Sequence, residues 1–310
     1  MNVTQEAIDT IEEVARVTLG WPRHRRWEST DKDARFKSLF GASSTIVAEI
    51  WHRIEETVAA EDPNAERKHL LWALVFLKVY ATSEEVHCAI VGWPHVQTFR
   101  KYSWYFIEKI FDLQDDVIVW KNRFNGQPDL ENILFDCMIS VDCVDCPCSE
   151  PFPAVKSIYS KKFNGPGIKY EVGICIKTGH IVWINGPFPA GNSEVTIFRN
   201  GLLLQLAYPW ELVECDTGLR GCDRARIPDQ AMTRGEGKQK SVVRGRHEII
   251  NGKLKVFNVL VAYFHHHAGR DRDVMLNKHG LCFGAVTVIT QLKIASGEIP
   301  FDVEYDVHYS

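Results

Sequence analysis

The chain has 310 residues, of which 45% are hydrophobic and 25% are charged, the balance of an ordinary globular protein. Its net charge of −4 gives no overall signal for nucleic acid, and nine cysteines are too few for a disulfide-built scaffold, so we expect reduced thiols in an intracellular protein. Because no apolar run is long enough to span a bilayer and the N-terminus lacks the pattern of a signal peptide, we expect no membrane association.

The first part of the chain shows apolar residues at helical spacing. This spacing predicts helices over residues 1–20, 43–60, 68–80 and 97–113, with a short helix starting at Ser83. Ser43 or Ser44 is the expected cap of the second helix. Trp21–Trp27 is a basic, aromatic connector. We therefore predict an N-terminal helix and basic linker over residues 1–35 and an all-α domain over residues 36–125.

The helices between residues 66 and 113 allow two interpretations. One is a helix-turn-helix module whose reading helix begins near His95 and offers Gln97, Thr98, Arg100 and Lys101 to DNA. The other is a plain helical bundle with a few polar residues on its surface. Neither interpretation is preferred, because the region is net acidic and DNA-reading modules are usually basic.

The second part of the chain alternates between strand and helix patterns. It follows a turn-rich boundary at Asn125–Asp129. An apolar run over Met138–Val141 ends in Asp142 and predicts a buried strand that ends there. Alternating runs at 168–176 and 181–184 predict a hairpin, and a strand at 212–216 ends in Asp216. Helices are expected at 195–206, 240–257 and 283–296, within one domain over residues 126–305 that precedes a tail at 306–310.

The carboxylates at the ends of these predicted strands are candidates for chemistry. An unpaired carboxylate at the end of a buried strand is costly, so a metal ion, a helix N-terminus or an arginine should accompany it. On the helix of 240–257, Glu248 borders the apolar face formed by Val243, His247, Ile250, Leu254 and Phe257. Asp142, Asp216 and Glu248 could therefore bind two Mg²⁺ ions through hard oxygen ligands and support phosphodiester cleavage.

Basic residues concentrate next to these acids. Residues 217–255 hold ten basic and four acidic side chains, a local charge of +6. Such a segment suits a phosphate-bearing ligand, although a solvated loop and helix face would look the same. The expected DNA-contacting residues are Arg244, Arg246, Lys253 and Lys255, together with Lys161 and Lys162 beside a glycine-rich turn.

Five segments, in this order, resemble a PIF/Harbinger-type DDE transposase of the microbial-eukaryote form. They are VDCVD at 141–145, YSKKFNGPGIKYEV at 159–172, IVWINGPFP at 181–189, ECDTG at 214–218 and RHEIIN at 246–251. The resemblance covers roughly residues 36–305. It implies an α/β RNase H-like core after the helical domain, two Mg²⁺ or Mn²⁺ ions, and cleavage of transposon ends with joining to target DNA. It also implies nuclear action and a separate Myb-like partner protein, and the sequence leaves a homo-oligomer open.

Matched motif by motif, the resemblance assigns Asp142, Asp216 and Glu248 as catalytic metal ligands. Asp145, Glu194 and Asn251 are expected to lie next to these ligands and to orient them without binding the ions. Two positions depart from the family pattern: Leu219 replaces an aromatic residue, and Glu194 replaces an aspartate. The alternative is therefore a transposase-derived protein that binds DNA, or acts as a scaffold, without catalysis.

Two further clusters compete as sites. Cys137, Cys143, Cys146 and Cys148 include a zinc-like spacing, but no second closing pair is evident, so buried thiols are favoured. The run His265–His267 follows a strand-like segment at 259–264 and is interpreted as a surface turn.

Overall fold

The computed structural model describes residues 3–21, 29–125, 136–228, 233–266, 271–299 and 301–305. They form two compact units, and neither unit is continuous in sequence. The helical unit comprises Met1–Asp115, Lys255–Ala262 and Leu281–Lys293. The sheet unit comprises Asp116–Leu254, Tyr263–Gly280 and Ile294–Ser310. This division differs from the boundary expected after residue 125, because two later segments belong to the helical unit.

The N-terminal part of the chain contributes seven described helices. They are α1 (Gln5–Thr18), α2 (Ser29–Phe40), α3 (Ser44–Glu61), α4 (Arg67–Val79), α5 (Glu84–Ile90), α6 (Val96–Asp112) and α7 (Gln114–Val117). The predicted helices are present, and Ser43 caps α3 by accepting a hydrogen bond from the backbone N–H of Ile46. Helix α4 is the centre of this unit, since Leu70–Leu77 are all buried. In the parts of the chain that the structure describes, no helix could cross a membrane.

An N-terminal helix followed by a basic linker is predicted over residues 1–35; the helix is present as α1, but α2 already begins at Ser29, within the range given to the linker. Phe36 and Phe40 of α2 are buried and their ring centroids lie 4.5 Å apart, so burial of these aromatics favours helix where the polar sequence suggested a linker. Residues 22–28, which hold most of the basic connector, lie outside the described residues, as does most of the predicted boundary at 125–129.

The sheet unit is built around one long strand. The strands are β1 (Asp136–Pro147), β2 (Tyr159–Ser160), β3 (Gly165–Cys175), β4 (Ile181–Pro189), β5 (Glu211–Glu214) and β6 (Ala225–Arg226). The main order is β4-β3-β1-β5-β6, with the short β2 paired to the start of β3. Strand β3 is antiparallel to β1 and β4, whereas β5 is parallel to β1 and β6 is parallel to β5. The result is a mixed sheet with β1 at its centre.

The hairpin between β3 and β4 confirms the sequence prediction. Its turn uses Gly179 at φ 74°, a left-handed conformation that favours glycine. The strand-like run at 259–264 does not form a strand, which corrects the sequence expectation. Asn258–Leu260 form a 3₁₀ turn, and Phe264 makes an isolated β-bridge with Cys148.

Strand β1 does not end at Asp142, which corrects the sequence expectation. It continues to Pro147, because residues 139–147 pair with β3 along its whole length. What ends near Asp142 is the pairing on the other side, where Ser140 opposite Glu214 is the last pair with β5. The apolar run thus marks the part of β1 that has neighbours on both sides.

Helices cover both faces of the sheet. The chain adds α8 (Glu194–Asn200), α9 (Arg234–Leu254) and α10 (Arg272–Ala295). The first is shorter than the predicted 195–206 helix, since Gly201 separates it from a 3₁₀ turn, and α10 starts well before residue 283. Val243 of α9 packs with Cys137 and Leu212, and Phe198 of α8 packs with Val141 and Val213 on the other face.

Candidate functional site

Asp142 and Asp216 lie near the point where the pairing between β1 and β5 ends. In the parallel pairing of β1 with β5, Ser140 is opposite Glu214. Asp142 comes two residues later on β1, and Asp216 comes two residues later, past the end of β5, so both acids reach the same small cavity. Strand alignment, which sequence alone does not contain, therefore brings the first two predicted catalytic acids together.

A small cavity at this end of β5 is lined mainly by acids. Its carboxylates come from Asp142, Glu171, Glu194 and Asp216, and its apolar lining comes from Val141, Cys143 and Leu219. The backbone N–H of Gly218 donates to Asp216 Oδ1 at 2.7 Å. A Cβ on Gly218 would lie 2.5 Å from Glu194 Oε2 and 2.8 Å from Asp216 Oδ1, so glycine is what lets these two carboxylates crowd together.

Asp142 is held from two directions. Its Oδ1 accepts from the backbone N–H of Cys143 at 2.8 Å, and its Oδ2 accepts from Asn251 Nδ2 at 3.2 Å. Burial raises the pKa of Asp142, Lys162 opposes the shift, and the charges of Asp216 and Glu194 add to it. The site therefore disfavours the negative charge of Asp142 in the absence of a cation.

Helix α9 contacts β1 at two positions beside the cavity. Ser140 Oγ lies 2.8 Å from His247 Nδ1, and Asp142 Oδ2 accepts a hydrogen bond from Asn251 Nδ2. Ser140 and Asp142 are two apart on the strand and share a face, and His247 and Asn251 are four apart on the helix and share a face, so both contacts can form at once. Burial lowers the pKa of His247 to about 3, so this imidazole is neutral.

Glu248, the third predicted catalytic acid, is not among the residues that line the cavity. It is exposed on α9, one turn before Asn251. The predicted apolar face of this helix is otherwise present, since Val243, His247, Ile250 and Leu254 are buried, whereas Phe257 lies beyond the helix end. The structure brings two of the three acids together and adds Asn251, one of the predicted supporting residues.

Glu194, also a predicted supporting residue, lies between two lysines at the start of α8. Its Oε1 is 3.7 Å from Lys162 Nζ and 3.6 Å from Lys169 Nζ. Lys162 Nζ also donates to the carbonyl of Cys143 at 2.9 Å, next to Asp142. Partial burial lowers the pKa of Lys162, but nearby carboxylates, Asp145 first, outweigh it and raise the pKa overall.

Asp145 occupies a buried network just behind the cavity. Ser160 Oγ donates to its Oδ2 at 2.5 Å, and Lys169 Nζ lies 4.0 Å from its Oδ1. Lys169 also donates to the carbonyl of Asn192 at 3.2 Å. Because Asp145 and Lys169 are opposite each other on β1 and β3, the sheet itself fixes this pair. The supporting role expected of Asp145 stays a prediction.

The basic residues expected to contact DNA divide into different environments. Lys161 and Arg244 are exposed in the sheet unit, and Lys253 lies 3.9 Å from Glu298. Lys255 is exposed but follows the end of α9 and belongs to the helical unit. In that unit, Arg100 and Lys101 of the candidate reading helix pair with Glu84 and Asp62.

Arg246 does not fit the prediction that it lines a DNA channel. It is buried, and its guanidinium donates to the carbonyl oxygens of Cys175, Ile176 and Phe301. These carbonyls lie at the end of β3 and in the C-terminal segment, so Arg246 joins α9 to the sheet. Its position on the buried side of α9 is a property of packing that charge counting in the sequence did not reveal.

Sequence reasoning missed Glu171. Glu171 is buried beside Cys143, and its Oε2 accepts from Trp183 Nε1 at 2.8 Å and from Asn185 Nδ2 at 3.5 Å. Burial raises its pKa against these hydrogen bonds. The available signal was two charged residues inside an otherwise apolar, β-branched strand.

The thiol and imidazole clusters do not form a second site in the described chain. All nine cysteines lie among the described residues, where they are buried and form no disulfide. Burial raises the pKa of Cys143, with Glu194 and Glu171 adding to the effect. His265 Nδ1 lies 3.1 Å from the carbonyl of Tyr263, and His267 is outside the described residues. Across the described ranges, no group of three or more His, Cys, Asp and Glu side chains is arranged to hold a metal ion.

Comparison of the chain with models of protein families, with curated proteins and with solved structures finds no match.

Proposed function

We propose that this protein is a divalent-metal-dependent DNA endonuclease of the transposase type, acting on transposon ends in the nucleus. The observation that carries the proposal is that Asp142, on the central strand β1, and Asp216, two residues past the end of the parallel strand β5, line one cavity together with Glu194. Paired carboxylates on a rigid sheet are what two-metal phosphodiester cleavage requires.

The strand order supports the same proposal. Strand β1 is central, with the antiparallel hairpin of β3 and β4 on one side and the parallel strands β5 and β6 on the other. This mixed α/β sheet is compatible with the RNase H-like core that the sequence resemblance implies.

Asp142 and Asp216 would hold the ions through carboxylate oxygens, the donors that Mg²⁺ and Mn²⁺ prefer. Glu194 lies beside them, whereas Glu248, the third ligand that the resemblance implies, is exposed and does not line the cavity. When bound, two such ions activate the attacking water or hydroxyl and stabilise the leaving oxygen. Asn251 would orient Asp142 through the amide hydrogen bond that it already donates. Exposed Lys161 and Arg244 would contact phosphates, and a Myb-like partner would help to select the DNA.

The test is cleavage and strand transfer on DNA that carries the terminal repeats of the encoding element, with Mg²⁺ or Mn²⁺. We expect Asp142→Asn and Asp216→Asn to abolish both reactions while the fold stays intact. Asp223→Asn is the matched control, because Asp223 is an exposed aspartate of the same unit. Cleavage by Asp142→Asn at the wild-type rate would refute the proposed mechanism.

A separate variant tests whether Glu248 is the third metal ligand. If α9 supplies the third ligand, Glu248→Asp should lose most cleavage and keep DNA binding, since withdrawing a carboxylate by about 1 Å can cost ~100-fold in rate. Full cleavage by this variant would remove Glu248 from the ligand set.

A second candidate is a non-catalytic DNA-binding or scaffold protein derived from a transposase. It is favoured by the exposed position of Glu248 and by the two lysines that neutralise Glu194. It predicts that the wild-type protein and Asp142→Asn bind DNA equally without metal, and that neither cuts it.

A further inference from the structure

Lys162 places a positive charge at the edge of the acidic cavity, next to Glu194. Its Nζ donates to the carbonyl of Cys143 at 2.9 Å and lies 3.7 Å from Glu194 Oε1. Cys143 follows Asp142 directly on β1, so the ammonium stands at the edge of the proposed metal site. The charge of Lys162 acts on Asp142 and Asp145 as well. The ammonium of Lys162 therefore interacts favourably with the negative charges of Asp142, Asp145 and Glu194.

The neighbouring lysine differs in how firmly it is held. Lys169 is 9% exposed and lies between Asp145 and Glu194, with a hydrogen bond to the carbonyl of Asn192. Lys162 is 51% exposed, so it reaches the cavity from solvent at the end of a flexible stem. Of these two ammonium groups, only that of Lys162 can leave without unpacking the sheet.

We propose that Lys162 is a built-in counter-ion of the acidic site, and that a divalent cation must displace its ammonium in order to bind. This inference rests on the proposed metal-dependent function and adds a regulatory element to the same site. It identifies Lys162 as a residue that weakens metal binding until the ammonium moves away. The DNA phosphate is the partner that its chemistry suits after that displacement.

Removing the positive charge of Lys162 should increase the affinity of the site for a divalent cation. Lys162→Met keeps the length of the side chain but removes the ammonium, so Mn²⁺ should bind about tenfold more tightly, because a like charge a few Å from a divalent ion is strongly repulsive. Lys162→Arg keeps the charge and should bind Mn²⁺ within about twofold of the wild type.

The measurement is Mn²⁺ affinity by titration calorimetry or by the paramagnetic resonance signal of free Mn²⁺, on the full chain without DNA. Lys156→Met is the matched control, since Lys156 is an exposed lysine of the same unit and makes neither of the contacts that Lys162 makes to Cys143 and Glu194. Thermal melting of each variant checks that the fold is kept.

The outcomes separate this inference from the proposed function. Tighter binding by Lys162→Met alone, together with loss of binding in Asp142→Asn, supports both. Loss in Asp142→Asn with unchanged or weaker binding in Lys162→Met overturns the counter-ion role and leaves the metal site standing. If Asp142→Asn binds Mn²⁺ as the wild type does, the site itself is refuted, and the role of Lys162 with it.

Discussion

Asp142→Asn should make the protein more stable at neutral pH while it abolishes cleavage. Burial raises the pKa of Asp142, so the folded state tolerates its negative charge less well than the unfolded chain does. The wild type is therefore destabilised as pH rises from the unfolded pKa through the raised folded pKa. At still higher pH the loss is constant. The neutral amide avoids this loss, because it does not ionise at either pKa.

The local hydrogen bonds should survive the substitution. The backbone N–H of Cys143 can still donate to an amide oxygen, and Asn251 can turn over its own amide to accept from the new one. Asn251 Oδ1 is buried and has no hydrogen-bond partner among the described residues, so this rearrangement costs little. The lost attraction to Lys162 is that of a half-exposed side chain, below about 1 kcal/mol.

We therefore expect a net gain of about 0.5–2 kcal/mol, the range that relief of an unfavourable charge commonly gives. For a unit of this size, it corresponds to a rise in Tm of about 2–4 °C per kcal/mol. The assay is thermal unfolding of both proteins from pH 3 to pH 8, with the difference growing as pH rises.

Asp62→Asn provides a control of opposite sign. A hydrogen bond from Lys101 lowers the pKa of Asp62, with the backbone N–H of Asn64 adding to the effect, so this carboxylate contributes stability above its unfolded pKa. Its loss should destabilise the protein at neutral pH. A wild-type protein that is as stable as Asp142→Asn at pH 8, or more so, would refute the electrostatic account of the site.

Three further changes test other parts of the structure. Gly218→Ala should lower Mn²⁺ affinity with little change in Tm, because the added Cβ displaces the carboxylate of Asp216 without removing it; unchanged affinity would count against the crowding argument. Arg123→Met should destabilise by about 3–5 kcal/mol in denaturant unfolding, because Glu211 is then left buried without its partner, 2.7 Å away; a loss below 1 kcal/mol would contradict this. Arg244→Gln should reduce the salt slope of DNA binding by about one unit per lost phosphate contact, and an unchanged slope would place Arg244 away from DNA.

The sequence by itself determined many of the elements and their kind. Apolar periodicity located α1, α3, α4 and α6 and the hairpin around Gly179, because local patterns report which face of an element is buried. It also identified Asp142 and Asp216 as acids that end apolar runs. For Asp142, the run marked the end of pairing with β5 and not the end of the strand.

Only the tertiary structure decided which side chains meet. Strand register brings Asp142 and Asp216 to one cavity, and Gly218 lets Glu194 approach them, none of which is encoded in local pattern. The rotation of α9 turns Arg246 into the protein and leaves Glu248 exposed, although both lie in one motif. Residues two apart on a helix point in different directions, so the orientation of α9 against the sheet buries Arg246 and exposes Glu248.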